Sequence, residues 1–290
     1  MMKSQKKSIL VVGGDGAIGS HLVASFESDG WDVFSTTRRV GHLTQKNLFY
    51  DLSRLPGRTK IPPSYSLDFA VVCAGITSVD QCEKNPSATR IINVDNTLEL
   101  IKMLRERGIF VAFLSSDLVF DGLMPTPSTQ DPVCPTTEYG RQKVEVEQSL
   151  LRSSSDAVVI RLSKVIKPDM PLFDEWVRRL RRGQSIQPYV NKMMSPISLN
   201  FCTEAITRII SARVQGITHV SASKDISYAD AAMFISKKLK FDQHLVHPTL
   251  AISDKFIDRR YATLDSSDLK LIGLFAPEPM HALDQLRLKT

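Results

Sequence analysis

The chain has 290 residues, 42% hydrophobic and 23% charged, with a formal net charge of +6. That length suits one α/β domain with an appended lobe, and the composition excludes low-complexity, disulfide-scaffold and membrane-spanning classes. The positive charge suits an anionic ligand, but the basic residues fall in short scattered groups without interleaved aromatics, so nucleic acid is not an expected partner.

The first predicted element is a buried strand at 9–12, four apolar and partly β-branched residues. It runs into Gly13, Gly16 and Gly19 and then into a helical pattern over 17–26. A strand that turns through glycines into a helix makes a phosphate site. The glycines allow the turn and remove Cβ atoms that would hold a pyrophosphate away, and the N–H groups at the helix start attract the anion. Gly13, Asp15, Gly16, Ala17, Ile18 and Gly19 are therefore candidate cofactor-binding residues. The second strand, 32–35, leads into Thr36-Thr37-Arg38-Arg39. No acid stands there to accept the ribose 2′-OH of NAD, whereas Arg38 and Arg39 suit a 2′-phosphate, so NADP(H) is favoured over NAD(H).

A short strand at 48–52 brings up the carboxylate of Asp51, and a loop with Pro56, Gly57, Pro62 and Pro63 follows. The run 67–75 reads as a strand ending in the small residues Ala74 and Gly75, against which a flat ligand can lie. Residues 80–107 read as one or two helices, and 109–114 as a strand ending in Ser115-Ser116-Asp117. This alternation predicts an α/β fold with a doubly wound, mostly parallel sheet.

After a proline-rich loop, Tyr139-Gly-Arg-Gln-Lys143 opens a helix through residue 151. Residues four apart share a helix face. An ammonium beside a phenol favours the phenolate and lowers the tyrosine pKa, which makes a proton donor and acceptor usable near neutral pH. Of six tyrosines, only Tyr139 has a lysine four residues on, which singles it out.

Residues 157–161 read as a strand, and 173–182 as an amphipathic helix whose arginines form a solvated face. A helix at 201–214, a strand at 216–220 rejoining the sheet, a helix capped by Ser227 and a final helix at 280–288 complete the chain. The cofactor domain is expected at 1–165, with 216–221 returning to its sheet, and 166–290 mainly as a smaller substrate lobe.

In order, Gly13-x-x-Gly16-x-x-Gly19, Asp51-Leu52, Ala74-Gly75, Asn93-Val94, Ser116 and Tyr139-x-x-x-Lys143 resemble the pattern of the extended short-chain dehydrogenase/reductase superfamily. Within it, the chain resembles the dTDP-4-dehydrorhamnose reductase branch. That likeness lies in Ala74-Gly-Ile-Thr-Ser-Val-Asp-Gln-Cys-Glu83, Ser115-Ser-Asp-Leu-Val-Phe-Asp-Gly122, Ser195-Pro-Ile-Ser198 and Arg260-Tyr-Ala-Thr-Leu-Asp265. The resemblance implies a Rossmann sheet and NADPH-dependent reduction of a 4-keto group on a nucleotide-activated deoxysugar, in polysaccharide biosynthesis. It makes Tyr139 the general acid, gives Lys143 the nicotinamide ribose and the tuning of Tyr139, and has Ser116 hydrogen-bond the substrate oxygen. Gly13, Gly16 and Gly19 would receive the pyrophosphate, Asp51 and Leu52 would flank the adenine, and Ala74 and Gly75 would line the cofactor. A nucleotide-sugar substrate and a homodimer are the expected partners. An epimerase or dehydratase of the same superfamily, or a non-catalytic cofactor-binding regulatory subunit, are the alternatives. Two positions depart from the branch: Leu118 where tyrosine is usual, and Lys164 where tryptophan is usual. Both usual residues lie near the sugar, so the departures keep the cofactor chemistry and leave the sugar open.

The four cysteines, Cys73, Cys82, Cys134 and Cys202, form no Cys-x-x-Cys pair, and Cys73 reads as a small buried hydrophobe. His244 and His247 have no third ligand near in sequence, so no metal is expected. The basic N-terminus precedes a strand-length apolar run rather than a signal-peptide core, so a cytoplasmic setting away from membranes is expected.

Overall fold

The apolar run after the basic N-terminus forms β1 (Ser8–Val12), buried along its whole length. The computed structural model describes residues 6–54, 61–153, 156–251 and 259–286. The further strands are β2 (Asp32–Thr37), β3 (Asn47–Phe49), β4 (Phe69–Val72), β5 (Phe110–Ser116), β6 (Ala157–Leu162), β7 (Lys164–Ile166), β8 (Met193–Met194), β9 (Pro196–Ser198), β10 (Gly216–Val220) and β11 (Ile226–Ser227). Seven of them make one sheet in the order β10-β6-β5-β4-β1-β2-β3. The pairs β1–β2, β1–β4, β2–β3 and β4–β5 are parallel. A sheet covered on both faces needs strands apolar on both faces, which explains the unbroken runs in β1, β4 and β6. The strand order reverses between β1 and β4, and the crevice past their C-terminal ends is where such sheets bind ligands.

The helices are α1 (Ala17–Ser28), α2 (Val79–Lys84), α3 (Pro86–Arg90), α4 (Asn96–Glu106), α5 (Glu138–Ser153), α6 (Pro171–Arg181), α7 (Leu199–Ser211), α8 (Tyr228–Lys238) and α9 (Pro279–Asp284). The stretch read as one or two helices is three, because Pro86 starts a new helix and a π turn, Ile91–Asp95, separates α3 from α4. The strand expected at 48–52 ends at Phe49. It is the sheet's last strand and pairs with β2 alone, and the chain then turns at Asp51, whose carboxylate accepts the Ser53 N–H at 3.0 Å. Ser227 caps α8 as expected, in a capping box closed by Asp230. The final helix, expected to reach 288, ends at Asp284, with Gln285 as its C-cap; Pro56 and Gly57 lie outside the described residues.

The chain forms two compact units. The first comprises the chain up to Val119, with Thr137–Arg161 and Thr203–Thr218. Its core includes Leu10, Val72, Leu100, Leu104, Phe113, Val146 and Leu150. The second comprises Phe120–Thr136, Leu162–Cys202 and the chain from His219 on, with a core of Phe173, Trp176 and Leu180 of α6 against Ala231 and Ile235 of α8 and Leu283 of α9. Both units are thus built from interleaved stretches of the chain. The proline-rich loop joins the second unit because the Gly122 carbonyl accepts from Arg260 N and Tyr261 N, and the Pro127 carbonyl from Asp265 N, each at 3.0 Å. Among the described residues no helix is long and apolar enough to cross a membrane, and no group of three metal-ligating side chains forms.

The turn from β1 to α1 fixes the part of the first unit that matters most. Gly13 adopts φ +90°, and its N–H donates to Thr36 Oγ1 at 2.9 Å. Gly19 is buried in α1 directly over this turn: a Cβ there would lie 2.2 Å from the Gly13 carbonyl oxygen. In an unconstrained helix, Gly→Ala stabilises by up to about 1 kcal/mol. Gly19→Ala should do the reverse and lower the unfolding free energy by about 3 kcal/mol, the upper range for overpacking. Urea denaturation checks this, with Gly41→Ala as the control, since a Cβ at Gly41 meets nothing within 4 Å.

Candidate active site

A cleft of about 890 Å³ opens past the C-terminal ends of β1, β2 and β4. Its base is the glycine turn. Gly16, on the cleft wall, is the N-cap of α1, and no side chain caps the first-turn N–H groups, those of Ala17 and Ile18 among them; Ala17 and Ile18 themselves are not lining residues. The turn also presses on the end of β4: a Cβ on Gly13 would lie 2.9 Å from Ala74 N. The small residues Ala74 and Gly75 are thus required by the neighbouring turn as well as useful to a flat ligand. Asn93, in the π turn, holds the segment after Gly75, accepting from Ile76 N at 2.8 Å and donating to the Ile76 carbonyl at 3.0 Å. These are the features of a dinucleotide cradle, and no side chain of the turn fills it.

The end of β2 differs from the sequence expectation. No acid follows that strand in sequence, yet the fold brings one to it from the glycine turn. Asp15 accepts from Thr37 Oγ1 at 2.5 Å and lies 4.0 Å from Arg39 Nε and 3.7 Å from His42 Nδ1. On the other side, burial would raise the Asp51 carboxyl, but the Ser53 hydrogen bonds and then the Arg38 and Arg54 charges hold it below the usual range. Each cleft arginine therefore faces a carboxylate.

Ser116 ends β5. Its hydroxyl donates to Asp117 Oδ1 at 2.9 Å and accepts from Leu118 N at 3.2 Å, a backbone contact indifferent to the side chain at 118. Tyr139 and Lys143 lie on α5 and are only 7% and 8% exposed. Lys143 Nζ donates to the Leu114 carbonyl at 2.9 Å and lies 4.5 Å from the Phe113 ring centroid and 5.5 Å from that of Tyr139. The expected lowering of the tyrosine pKa is not found. Burial, then the charge of Asp117 and of Cys82, pushes the phenol well above its ordinary value. The lysine is itself brought down to about 8 by burial, with Glu147 the first of the groups that oppose this. The Tyr139 phenol thus stays protonated through the neutral range.

Gly13, Asp15, Gly16, Arg38, Arg39, Asp51, Leu52, Ala74 and Gly75 line the cleft. Gly19 does not; it sits beneath the turn and serves packing. Ser116, Tyr139 and Lys143 stand outside the lining, at the end of β5 and the start of α5. The link between the two sets is Cys73, read from sequence as a buried hydrophobe. It is half-buried on the cleft wall, and its thiol, raised to about 12 by burial, feels the Lys143 charge. Sequence reasoning missed Thr36, Thr37, Ile76, Thr77, Ser78 and Gln81, which also line the cleft. The rule that ligands meet the first residues past parallel strands could have found the threonines and Ile76.

A switch-point crevice with a glycine turn is the dinucleotide site of the doubly wound fold, and this is the fold of the extended short-chain dehydrogenases, which are NAD(P)-dependent oxidoreductases. Within that class the chain belongs to the RmlD substrate binding domain family, a family of sugar-nucleotide reductases, whose model matches residues 7–285. The probable low-salt glycan biosynthesis reductase Agl14 of Haloferax volcanii is 25% identical over 248 residues, 83% of each chain. Methionine adenosyltransferase 2 subunit beta of Pongo abelii is 22% identical over 281 residues, 92% of this chain and 83% of that one. The crystal structure of dTDP-4-dehydrorhamnose reductase from Bacillus anthracis in complex with NADP has the same fold. It superposes with a TM-score of 0.82 at 19% identity, covering 99% of this chain and 100% of that one.

Burial of Lys143 has a consequence for stability. Its folded midpoint of about 8 lies below the ordinary 10.5, so between these values the unfolded chain binds more protons there and stability rises with pH. The raised Tyr139 acts oppositely once pH passes 10.0, where the unfolded phenol ionises. Between pH 8 and 10, urea unfolding should therefore show the unmodified protein gaining stability relative to Lys143→Met, which lacks the titrating group.

Proposed function

We propose that this chain is an NADPH-dependent reductase of a 4-keto group on a nucleotide-activated deoxysugar. The observation that carries the reading is the buried, protonated Tyr139 at the start of α5, with the Lys143 ammonium 5.5 Å from its ring centroid and Cys73, on the cleft wall, feeling the Lys143 charge. A reductase needs such a proton donor at the reacting end of its cofactor site. The first turn of α1, with Gly13 and Gly16, would hold the pyrophosphate. Asp51 and Leu52 would flank the adenine, Arg38 and Arg39 the 2′-phosphate, Ala74 and Gly75 the middle of the cofactor, and Lys143 the nicotinamide ribose. The bound cofactor supplies the two-electron reduction. Tyr139 gives its proton to the carbonyl oxygen as that oxygen becomes an alkoxide, and Ser116 hydrogen-bonds the same oxygen. The Lys143 ammonium makes the phenol a better donor at that moment. Residues 1–165 with 216–221 are assigned to the cofactor and 166–290 mainly to the sugar. A homodimer in the cytoplasm belongs to the same reading.

The test is a panel of nucleotide 4-keto-6-deoxysugars with NADPH oxidation as readout. The likeness to methionine adenosyltransferase 2 subunit beta favours a second reading, a regulatory subunit that keeps the cofactor site. Tight NADPH binding with no turnover across the panel would select it.

Cofactor choice is tested separately. NADPH should bind more tightly than NADH, and alanine at both Arg38 and Arg39 should remove the difference. Fluorescence titration reads both, and equal affinities in the unmodified protein would exclude the assignment of the arginines.

Tyr139→Phe keeps the ring and removes the proton donor. With a substrate in hand, turnover should fall by about a hundredfold to ten-thousandfold while NADPH affinity barely moves. Lys143→Met should weaken both. Full activity in Tyr139→Phe would mean that the proton comes from elsewhere.

A further inference from the structure

Tyr139, Lys143 and Glu147 are spaced by four and form one stripe on α5. The first two carry the proposed chemistry, and the third is a carboxylate with a side chain only 3% exposed. A charge so deep must be compensated. Arg161 of β6, equally buried, grips it in a fork: Nε lies 3.2 Å from each carboxylate oxygen and Nη2 lies 2.7 Å from Oε2. Ser115 Oγ of β5 donates to Glu147 Oε1. One residue earlier, the Leu114 carbonyl accepts from Lys143 Nζ. The stripe is thus bolted to β5 at two successive residues, immediately before Ser116.

We propose that Glu147 is a positioning residue for Lys143, a carboxylate clamped by Arg161 and Ser115 that fixes the lysine against the end of β5 and keeps it charged. The groups that face Lys143 are Glu147 and Tyr139 on α5, Cys73 at the end of β4 and Cys82 on α2. Burial raises the phenol and both thiols, so these three are neutral near pH 7. Glu147 is then the carboxylate that offsets the cost of burying the ammonium. Arg161 and Ser115 occupy that carboxylate, while the ammonium donates to the Leu114 carbonyl. Lys143 matters to function only through the reductase reading, but its charge state can be measured without it.

The experiment is an NMR titration of the full chain labelled with 13C-lysine, without substrate or cofactor, with the Lys143 ε-carbon assigned by its absence in Lys143→Arg. In Glu147→Gln the midpoint should fall by about one to two pH units, the scale of losing a nearby opposite charge. In Arg161→Gln, where Glu147 loses its partner, it should rise. A purely structural role moves both variants the same way or neither, and either result overturns the proposal. Should a single variant fail to fold, Glu147→Met with Arg161→Met replaces the pair by apolar bulk. The midpoint should again fall there, and an unchanged midpoint overturns the proposal. Because the titration involves no sugar, its failure is distinct from failure of the reductase reading, which the panel decides.

Discussion

The structure depends on two places where no Cβ fits. A side chain at Gly19 would run into the Gly13 carbonyl, and one at Gly13 would run into the backbone of Ala74. Together these contacts press α1 onto the turn and the turn onto the end of β4. This brings the helix start to the crevice at which the strand order reverses. The uncapped helix start at the cleft is therefore a by-product of close packing. Its donors are backbone groups that the helix cannot satisfy itself, and their direction is set by contacts that admit only hydrogen. The opening motif serves two purposes: Gly13 and Gly16 line the cleft, while Gly19 holds the helix down.

Burial governs the chemistry next to it. In water, an ammonium near a phenol would favour the phenolate. Here the cost of removing both groups from water exceeds their mutual attraction, so the phenol rises, the lysine falls, and the ammonium takes a carbonyl as partner. The result is a neutral phenol beside a lysine whose ammonium donates to a backbone carbonyl. Behind it, the Glu147 carboxylate is held in the Arg161 fork and by the Ser115 hydroxyl.

The cofactor cleft has a similar balance. Arg38 and Arg39 stand at the end of β2, but Asp51 and Asp15 face them. The cations at this strand end are already partly neutralised, and Thr37 already holds the Asp15 carboxylate. Each cleft arginine is thus already matched by a carboxylate, so a count of arginines does not measure the positive charge of the cleft.

Much of this was legible in the chain because it is local. Unbroken β-branched runs, glycines spaced by three and a tyrosine four residues before a lysine each report on a few neighbouring bonds. They specified the doubly wound sheet, the phosphate turn and the α5 pair. Pro86, which splits the helical stretch, was local as well. The rest depended on which distant segments meet. Asp15 reaches the end of β2 only because the turn and Thr37 adjoin in the sheet, 22 residues apart in sequence. The loop 120–136 joins the second unit only through Gly122 and Pro127, whose partners lie near the far end of the chain. The protonation of Tyr139 and Lys143 depended on depth, and depth is a property of the packed whole. Sequence sets which groups share a helix face, and only tertiary structure sets how much water reaches them, which here reverses the sign of the tyrosine's shift.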